Sequence, residues 1–220
     1  WGAGLPADRY EEILTADTGH RIKAVLATHN ETATGVVSDI AAIRRAMDAA
    51  GHPALLLVDG VSSIGSMDFR MDEWGVDVTV SGSQKGLMLP PGLSFNAISE
   101  KAIKVSEAAG LKRSYWSWDE MSGPNDTGYF PYTPATNLLY GLNEAIDMLH
   151  EEGLDNVFAR HERHGEATRA AVEAWGLEVL CQVPEHRSPV LTAVMMPEGH
   201  SADNFRALTL RNYDMSLGNG

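Results

Sequence analysis

The sequence predicts an α/β fold in which a mainly parallel sheet is flanked by helices, followed by part of a smaller α+β domain. Short, apolar, β-branched runs alternate with amphipathic helical stretches in the first part of the chain, and the connections between them are short. Such strand–helix–strand units are the right-handed crossovers that build parallel sheets. After Gly153 the order changes to helices followed by alternating strands, so we divide the chain into residues 1–152 and 153–220.

Apolar spacing and capping residues define the elements of the first part. Tyr10, Ile13 and Leu14 lie on one side of a helix, and Ser38 and Gly51 mark the start and end of the next helix. In chain order, we predict a helix at 7–14, a strand at 22–27, a helix from 38 to about 50, a strand at 54–58, a turn-and-helix fragment at 69–75, strands at 76–80 and 93–98, and a helix at 99–108.

Apolar periodicity is absent between Gly110 and Pro134, and it returns beyond them. A segment of this length without elements is usually functional or an interface. Its many aromatic residues favour an interface over disorder. For the rest of the chain we predict helices at 137–152 and 154–175, antiparallel strands at 177–180 and 190–196, and a helix at 201–210.

Composition excludes several function classes. The 220 residues carry 17 Lys and Arg against 30 Asp and Glu, a formal net charge of −13, which argues against nucleic acid or an anionic membrane surface as partner. No apolar run approaches the roughly 20 residues of a membrane span, and no signal-peptide pattern is visible. The single Cys181 excludes an internal disulfide and fits a reducing compartment, so we expect a cytoplasmic protein. Because the chain begins on Trp1, we expect an internal piece of a longer polypeptide.

The first candidate catalytic residue is Lys85, in the stretch V-D-V-T-V-S-G-S-Q-K-G-L-M-L-P-P-G from Val76 to Gly92. The lysine follows a β-branched strand and is surrounded by apolar residues and glycines. Such a setting disfavours the ammonium form and leaves a neutral amine that can form a Schiff base. The alternative is an ordinary solvated lysine on a surface loop.

The second candidate is Asp59, which directly follows the apolar strand at 54–58. Functional groups in open parallel sheets collect at the carboxyl ends of the strands, so Asp59 and Lys85 are expected at the same edge. An acid and an amine in this arrangement suit pyridoxal phosphate, in which the acid keeps the pyridine nitrogen protonated and the amine bonds the aldehyde carbon. The alternative is a plain Asp59-Gly60 turn.

The motifs V-D-G-V-S-S-I-G from Val58, S-G-S-Q-K-G from Ser81 and P-P-G from Pro90 resemble those of the class V aminotransferases of the type I pyridoxal-phosphate fold. The pattern is most similar to the serine–glyoxylate and alanine–glyoxylate types, and the resemblance covers essentially the whole chain. It implies that pyridoxal 5'-phosphate is the cofactor. Residues 1–152 would then be the C-terminal part of the large cofactor-binding domain, and 153–220 the first part of the small C-terminal domain.

The resemblance also implies roles for individual residues. Lys85 would form the internal aldimine and then move the substrate's α-proton, while Asp59 would pair with the pyridinium. Val61 would press on the ring face, the Gln84 amide would bind the phosphate, and Thr32 would donate a hydroxyl to the cofactor. The implied reaction transfers an amino group from serine or alanine to glyoxylate. His29 lies close to Thr32, but a lone histidine near a core is more often structural than catalytic.

The segment between Gly110 and Pro134 is called the aromatic segment below. In the family that the chain resembles, the matching segment crosses to a partner subunit and helps to hold the cofactor phosphate. Thr133 would take this role, together with Tyr129, in a homodimer with shared active sites; the alternative for both residues is packing within the loop. The resemblance also implies that a phosphate-binding glycine cup lies upstream of Trp1 and that a substrate-binding arginine lies downstream of Gly220.

Three other readings compete with transamination. His161 and His164 lie three residues apart, but a zinc site needs further ligands nearby and Cys181 is the only cysteine, so we expect no metal site. Cysteine desulfurases resemble the pattern but carry histidine where Gln84 stands, and a buried, inert state is expected of Cys181. A non-catalytic relative that serves as a dimerisation module, held by 115–132 and the helix from Asn137, is the main alternative.

Overall fold

The computed structural model describes residues 1–219 and has the predicted α/β architecture, with a mainly parallel sheet flanked by helices. In chain order, the elements are α1 (Ala7–Ala16), β1 (Ala24–Thr28), β2 (Asn30–Glu31), β3 (Val36–Val37), α2 (Ile40–Ala49), β4 (Leu55–Asp59), β5 (Val78–Gly82), β6 (Ser94–Ile98), α3 (Glu100–Glu107), α4 (Trp118–Asp126), α5 (Thr136–Glu152), α6 (Leu154–Ala174), β7 (Glu178–Val179), β8 (Val194–Met195) and α7 (Ala202–Tyr213).

The main sheet has four strands in the order β1-β4-β5-β6. The first three are parallel, and β6 runs antiparallel to β5. Helix α2 connects β1 to β4, so the predicted strand–helix–strand crossover is confirmed. Thr28 pairs with Asp59, and Asp59 pairs with Val80, so the carboxyl ends of the three parallel strands lie at one edge.

The two faces of the sheet differ in burial. Val25, Leu56 and Val58 point to one face, where they pack with residues of α1 and α2 in the apolar core. The alternate residues point to the other face, where Leu26 is 71% exposed and Asp59 is also exposed. Within residues 1–219, therefore, this second face has no comparable covering layer, and Asp59 lies on it.

A buried carboxylate joins the strands at the opposite edge of the sheet. Asp77 accepts hydrogen bonds from the Leu56 N–H at 2.9 Å and from the Ser99 hydroxyl at 3.0 Å, and the Lys101 Nζ lies 3.3 Å away. Because Ser99 also caps α3, this one side chain connects β4, β5 and α3. The amino ends of β4 and β5 are thereby tied to α3, at the end of the strands opposite to Asp59.

Three local predictions are wrong. The cap of α2 is Asp39, whose carboxylate accepts from the Ala42 N–H at 2.7 Å, whereas the Ser38 hydroxyl accepts from the Leu5 N–H. Residues 69–75 form turns without a helix. The segment between Gly110 and Pro134 contains helix α4, which has no buried residue and therefore leaves no apolar periodicity in the sequence.

The C-terminal part agrees with prediction in its order of elements. Gly153, with φ of 81°, separates α5 from α6, and β7 and β8 form an antiparallel pair that is shorter than expected. The domain division at residue 153 stays a prediction, and its end at Gly220 lies outside the described residues. Among residues 1–219, no helix is both long and apolar enough to cross a lipid bilayer.

Candidate active site

Asp59 is the last residue of β4 and lies at the centre of the carboxyl edge, between β1 and β5. Its side chain is exposed, and Oδ1 accepts a hydrogen bond from the Val61 N–H at 2.9 Å. This contact fixes one carboxylate oxygen by a short-range turn. The other oxygen is then available to a ligand on the open face of the sheet.

Lys85 lies in the turn that follows β5, three residues after the strand ends at Gly82. The fully buried Ser83 holds this turn, since its hydroxyl donates to the Pro90 carbonyl at 2.8 Å and accepts from the Leu93 N–H at 3.2 Å. The Lys85 side chain itself is exposed. The expectation of a desolvated lysine is therefore wrong for this chain, because the sheet face beside it is open to solvent.

Two glycines bring the lysine turn and the aspartate loop together. A Cβ atom on Gly65 would lie 3.0 Å from the Gly86 backbone, and one on Gly86 would overlap the Ile64 carbonyl. The two loops thus pack backbone against backbone, next to Lys85 on one side and six residues beyond Asp59 on the other. The Gly60 N–H also donates to the Val80 carbonyl at 2.9 Å, which ties the aspartate loop to β5.

Thr32 lies at the tip of a hairpin formed by β2 and β3 and is exposed. Asn30, on β2, joins this hairpin to the aspartate loop: its Nδ2 donates to the Ser62 carbonyl at 3.1 Å, and the Ser62 hydroxyl donates to the Asn30 carbonyl at 2.8 Å. Neither residue is predicted from the sequence as part of the site. Each stands inside a polar motif, but their pairing across 32 positions leaves no periodic signal.

His29 lies under this hairpin and is 3% exposed. Its ring packs 5.3 Å from that of Phe69 and 5.6 Å from that of Trp74, between centroids, and Nδ1 has no hydrogen-bond partner. Burial lowers the pKa of His29 to about 4, although Asp68 and Asp39 act weakly in the other direction. His29 is therefore neutral near pH 7, and its setting fits the structural interpretation.

The remaining predicted site residues fall into two groups. Val61 is half-buried and Gln84 is exposed, and they flank Asp59 and Lys85 respectively. Tyr129 and Thr133 are exposed and line a separate open groove, whose other walls also come from residues 128–139. The chain thus brings together Asp59, Val61, Gln84, Lys85 and the Thr32 hairpin, whereas Tyr129 and Thr133 lie in a separate groove.

The side chains at the carboxyl edge are of the chemical types that can bind pyridoxal phosphate. A carboxylate, an amine, an amide and a hydroxyl are exposed there, at Asp59, Lys85, Gln84 and Thr32, and backbone packing and hydrogen bonds join the segments that carry them. Such a set can pair with a pyridinium, bond an aldehyde carbon and bind a phosphate. Within residues 1–219, no cluster of three or more His, Cys, Asp or Glu residues is arranged to hold a metal ion.

Comparison with known proteins agrees with these motifs. The family described as aminotransferase class-V matches residues 6–219. An L-aspartate–glyoxylate aminotransferase from Paracoccus denitrificans is 57% identical over the whole chain, which covers 56% of that protein. A serine–glyoxylate aminotransferase from Hyphomicrobium methylovorum is 52% identical, again over the whole chain and 55% of that protein. The chain thus spans about half the length of these curated relatives.

A solved structure extends the likeness to the fold. The crystal structure of pyridoxamine–pyruvate aminotransferase from Mesorhizobium loti superimposes with a TM-score of 0.91 at 31% identity, over all of this chain and 56% of that one. Together with the family match, this confirms the fold class predicted from the motifs.

Proposed function

The chain belongs to the class V aminotransferases, and from this we propose that its full-length protein transfers an amino group from serine or alanine to glyoxylate, with pyridoxal phosphate held between Lys85 and Asp59. The observation that carries the proposal is the backbone packing of the Lys85 turn against the Asp59 loop at one edge of the parallel sheet. Both similar relatives are named for glyoxylate, whereas their names differ in the amino donor.

Bound pyridoxal phosphate would supply an electron sink that makes the α-proton of an amino acid removable. The Asp59 carboxylate, held through Oδ1 by the Val61 N–H, would keep the proton on the pyridine nitrogen. The Lys85 amine would hold the cofactor at its aldehyde carbon and, when free, would take up the substrate's α-proton as a base and return it as an acid. The Gln84 amide and the Thr32 hydroxyl would orient the ring and its phosphate.

We also propose a homodimer with shared active sites. The aromatic segment leaves several large side chains exposed, among them Trp116 at 82% and Tyr129 at 72%. Large exposed aromatic side chains in one patch are typical of an interface. In such a dimer, Thr133 and Tyr129 would contact the phosphate at the partner's site.

We further propose that the protein is cytoplasmic, and this proposal rests on the composition alone.

The test uses the purified full-length protein, pyridoxal phosphate and borohydride. We expect a yellow absorbance band, and after reduction a cofactor adduct that peptide mass mapping places on Lys85. Lys85→Ala should lose both the adduct and the formation of glycine from glyoxylate, while Lys104→Ala, which changes an exposed lysine on α3, should keep them. Serine, alanine and aspartate compared as donors at equal concentration would identify the amino donor.

Two outcomes would overturn the proposal. One is an adduct on a lysine other than Lys85, or full transamination by Lys85→Ala. The other is a protein that associates through the aromatic segment without any cofactor band, which is what the non-catalytic dimerisation module predicts.

A further inference from the structure

We infer that residues 187–193, braced by helix α6 through Arg169, position the Thr32 hairpin, which makes Arg169 and Ser188 positioning residues of the candidate site. The hairpin comprises β2, β3 and the turn between them. Residues 187–193 belong to the predicted second domain, whereas the hairpin belongs to the first. The inference rests on the proposed function only in that Thr32 is taken to face the cofactor.

Backbone contacts join this segment to the hairpin directly. The Ser188 N–H donates to the Gly35 carbonyl at 3.0 Å, and Val36 pairs with Arg187 in an isolated antiparallel bridge. Gly35 has a φ of 67°, and a Cβ atom there would lie 3.1 Å from the Leu191 carbonyl oxygen and 3.2 Å from the Ala193 nitrogen. Only glycine adopts this conformation readily and allows so close an approach.

Helix α6 holds the segment from behind. Ser188 is 1% exposed, and its carbonyl accepts a hydrogen bond from Arg169 Nη1 at 2.9 Å. Its hydroxyl accepts from the backbone N–H groups of Val190 and Leu191, both at 3.2 Å. One helical turn earlier, a Cβ atom on Gly165 would lie 2.8 Å from the Pro189 carbonyl, so the helix and the segment are in backbone contact.

The hairpin is also held by the aspartate loop, through three hydrogen bonds between Asn30 and Ser62. It therefore contacts both residues 187–193 and the loop that follows Asp59. Thr32 is exposed at its tip, so the position of the hydroxyl depends on where the hairpin backbone is held. A displacement of about 1 Å in a positioning group is enough to weaken a site by a large factor.

The first experiment compares two glycine variants of the full-length protein. Gly35→Ala places a side chain against the Leu191 and Ala193 backbone, whereas Gly51→Ala meets nothing within 4 Å, although φ is positive at both positions. Both variants should lose some stability, because a left-handed conformation is unfavourable for residues other than glycine. Gly35→Ala alone should weaken cofactor binding, by about tenfold, and speed amide exchange at residues 31–36.

The second experiment removes the hydrogen bond through which α6 supports residues 187–193. Arg169→Gln should raise the dissociation constant for pyridoxal phosphate about tenfold, since a hydrogen bond from a charged donor to Ser188 is lost. Arg169→Lys, which keeps a cationic donor, should recover part of this affinity. Glu162→Gln removes the negative charge of the other partner of Arg169, whose Oε1 lies 3.2 Å from Nη2, and should leave the affinity unchanged. Affinity is measured from the absorbance band, well below the unfolding temperature of each variant.

Amide exchange separates this inference from the proposed function. If the wild-type protein forms no cofactor adduct on Lys85, the proposed function fails, yet faster exchange at residues 31–36 in Arg169→Gln would still support the structural link. Unchanged exchange there in both Gly35→Ala and Arg169→Gln would overturn the inference. Equal losses of affinity in Gly35→Ala and Gly51→Ala would also overturn it.

Discussion

His29 illustrates how a single residue's chemistry follows from its surroundings. The imidazole is nearly fully buried beside Phe69 and Trp74, and burial lowers its pKa to about 4 from the ordinary 6.5. A charged form would be costly here because the apolar rings cannot replace water. His29 therefore supports the base of the Thr32 hairpin as a neutral ring, through packing and through its backbone N–H, which donates to the Asp59 carbonyl at 3.0 Å.

This lowered pKa makes stability depend on pH in a defined direction. Between pH 6.5 and about 4, the unfolded chain binds a proton at His29 while the folded protein does not, so the free energy of unfolding falls as the pH falls through this range. His29→Phe, which fills similar space but cannot titrate, should reduce the stability lost between pH 7 and pH 4.5 by about 2 kcal/mol. Urea unfolding at both pH values measures this loss.

The matched control is His164→Phe, which changes an exposed histidine on α6. It should leave the pH dependence as in the wild type. If His29→Phe also unfolds with the wild-type pH dependence, His29 is not the buried neutral group described above. If His29→Phe packs poorly, His29→Gln provides a second neutral replacement for the same comparison.

At the scale of elements, the aromatic segment is held together by one acidic residue. Glu120, on α4, accepts two hydrogen bonds at Oε2, from the Tyr115 N–H at 3.2 Å and from the Tyr132 hydroxyl at 3.0 Å. The rings of Tyr115 and Tyr132 also pack with centroids 5.0 Å apart. Two distant parts of the segment are thereby joined directly before Thr133, which explains how a run without a buried helix keeps a defined shape.

Removing the Tyr132 hydroxyl should loosen this segment without unfolding the protein. Tyr132→Phe loses one hydrogen bond to a charged group, worth about 1 kcal/mol at this exposed position, so amide exchange across residues 111–135 should become roughly fivefold faster. Tyr140→Phe removes the same hydroxyl from a residue on α5 that is 80% exposed, and it should leave exchange unchanged. Equal exchange rates in the two variants would contradict the role given to Glu120.

At the scale of the whole molecule, the solvent exposure of the sheet face that carries Asp59 affects how strongly the chain can bind a ligand. Leu26 on this face is 71% exposed, and both Asp59 and Lys85 are exposed beside it. An ion pair in water gains only about 1 kcal/mol at 4 Å, but several times more in a partly desolvated site. Within these residues, the proposed cofactor site therefore has the required chemical groups, but it lacks the low-dielectric surroundings that would strengthen their interactions with a charged ligand.

This exposure predicts a difference between the 220-residue chain and the full-length protein. The chain alone should bind pyridoxal phosphate at least about tenfold more weakly and transaminate poorly, because Asp59 and Lys85 act there in water. Absorbance titration of both proteins under the same buffer measures the difference. Clear turnover of serine with glyoxylate by the isolated chain would refute it.

Some features could be predicted from local sequence because their physical cause is local. The strand before Asp59 is apolar, and the strand before Lys85 is rich in β-branched residues. The helices predicted to begin near Ser99 and at Ser201 do begin there, and these two side chains cap them. Helix α4 could not be found in this way, since none of its side chains is buried and Pro124 lies inside it. The cap of α2 was wrongly predicted because Ser38 and Asp39 are both good caps, and only the contact of Ser38 with Leu5 separates them.

The sequence by itself determined the family, the order of the elements, and the residue types at the ends of β4 and β5, because all of these depend on neighbours along the chain. Only the tertiary structure decided that Lys85 is exposed, that its turn packs against the Asp59 loop at Gly65 and Gly86, and that residues 187–193 contact the Thr32 hairpin. These contacts join backbone atoms far apart in the chain. Most residue types can make a backbone contact, so the sequence does not reveal which residues make one.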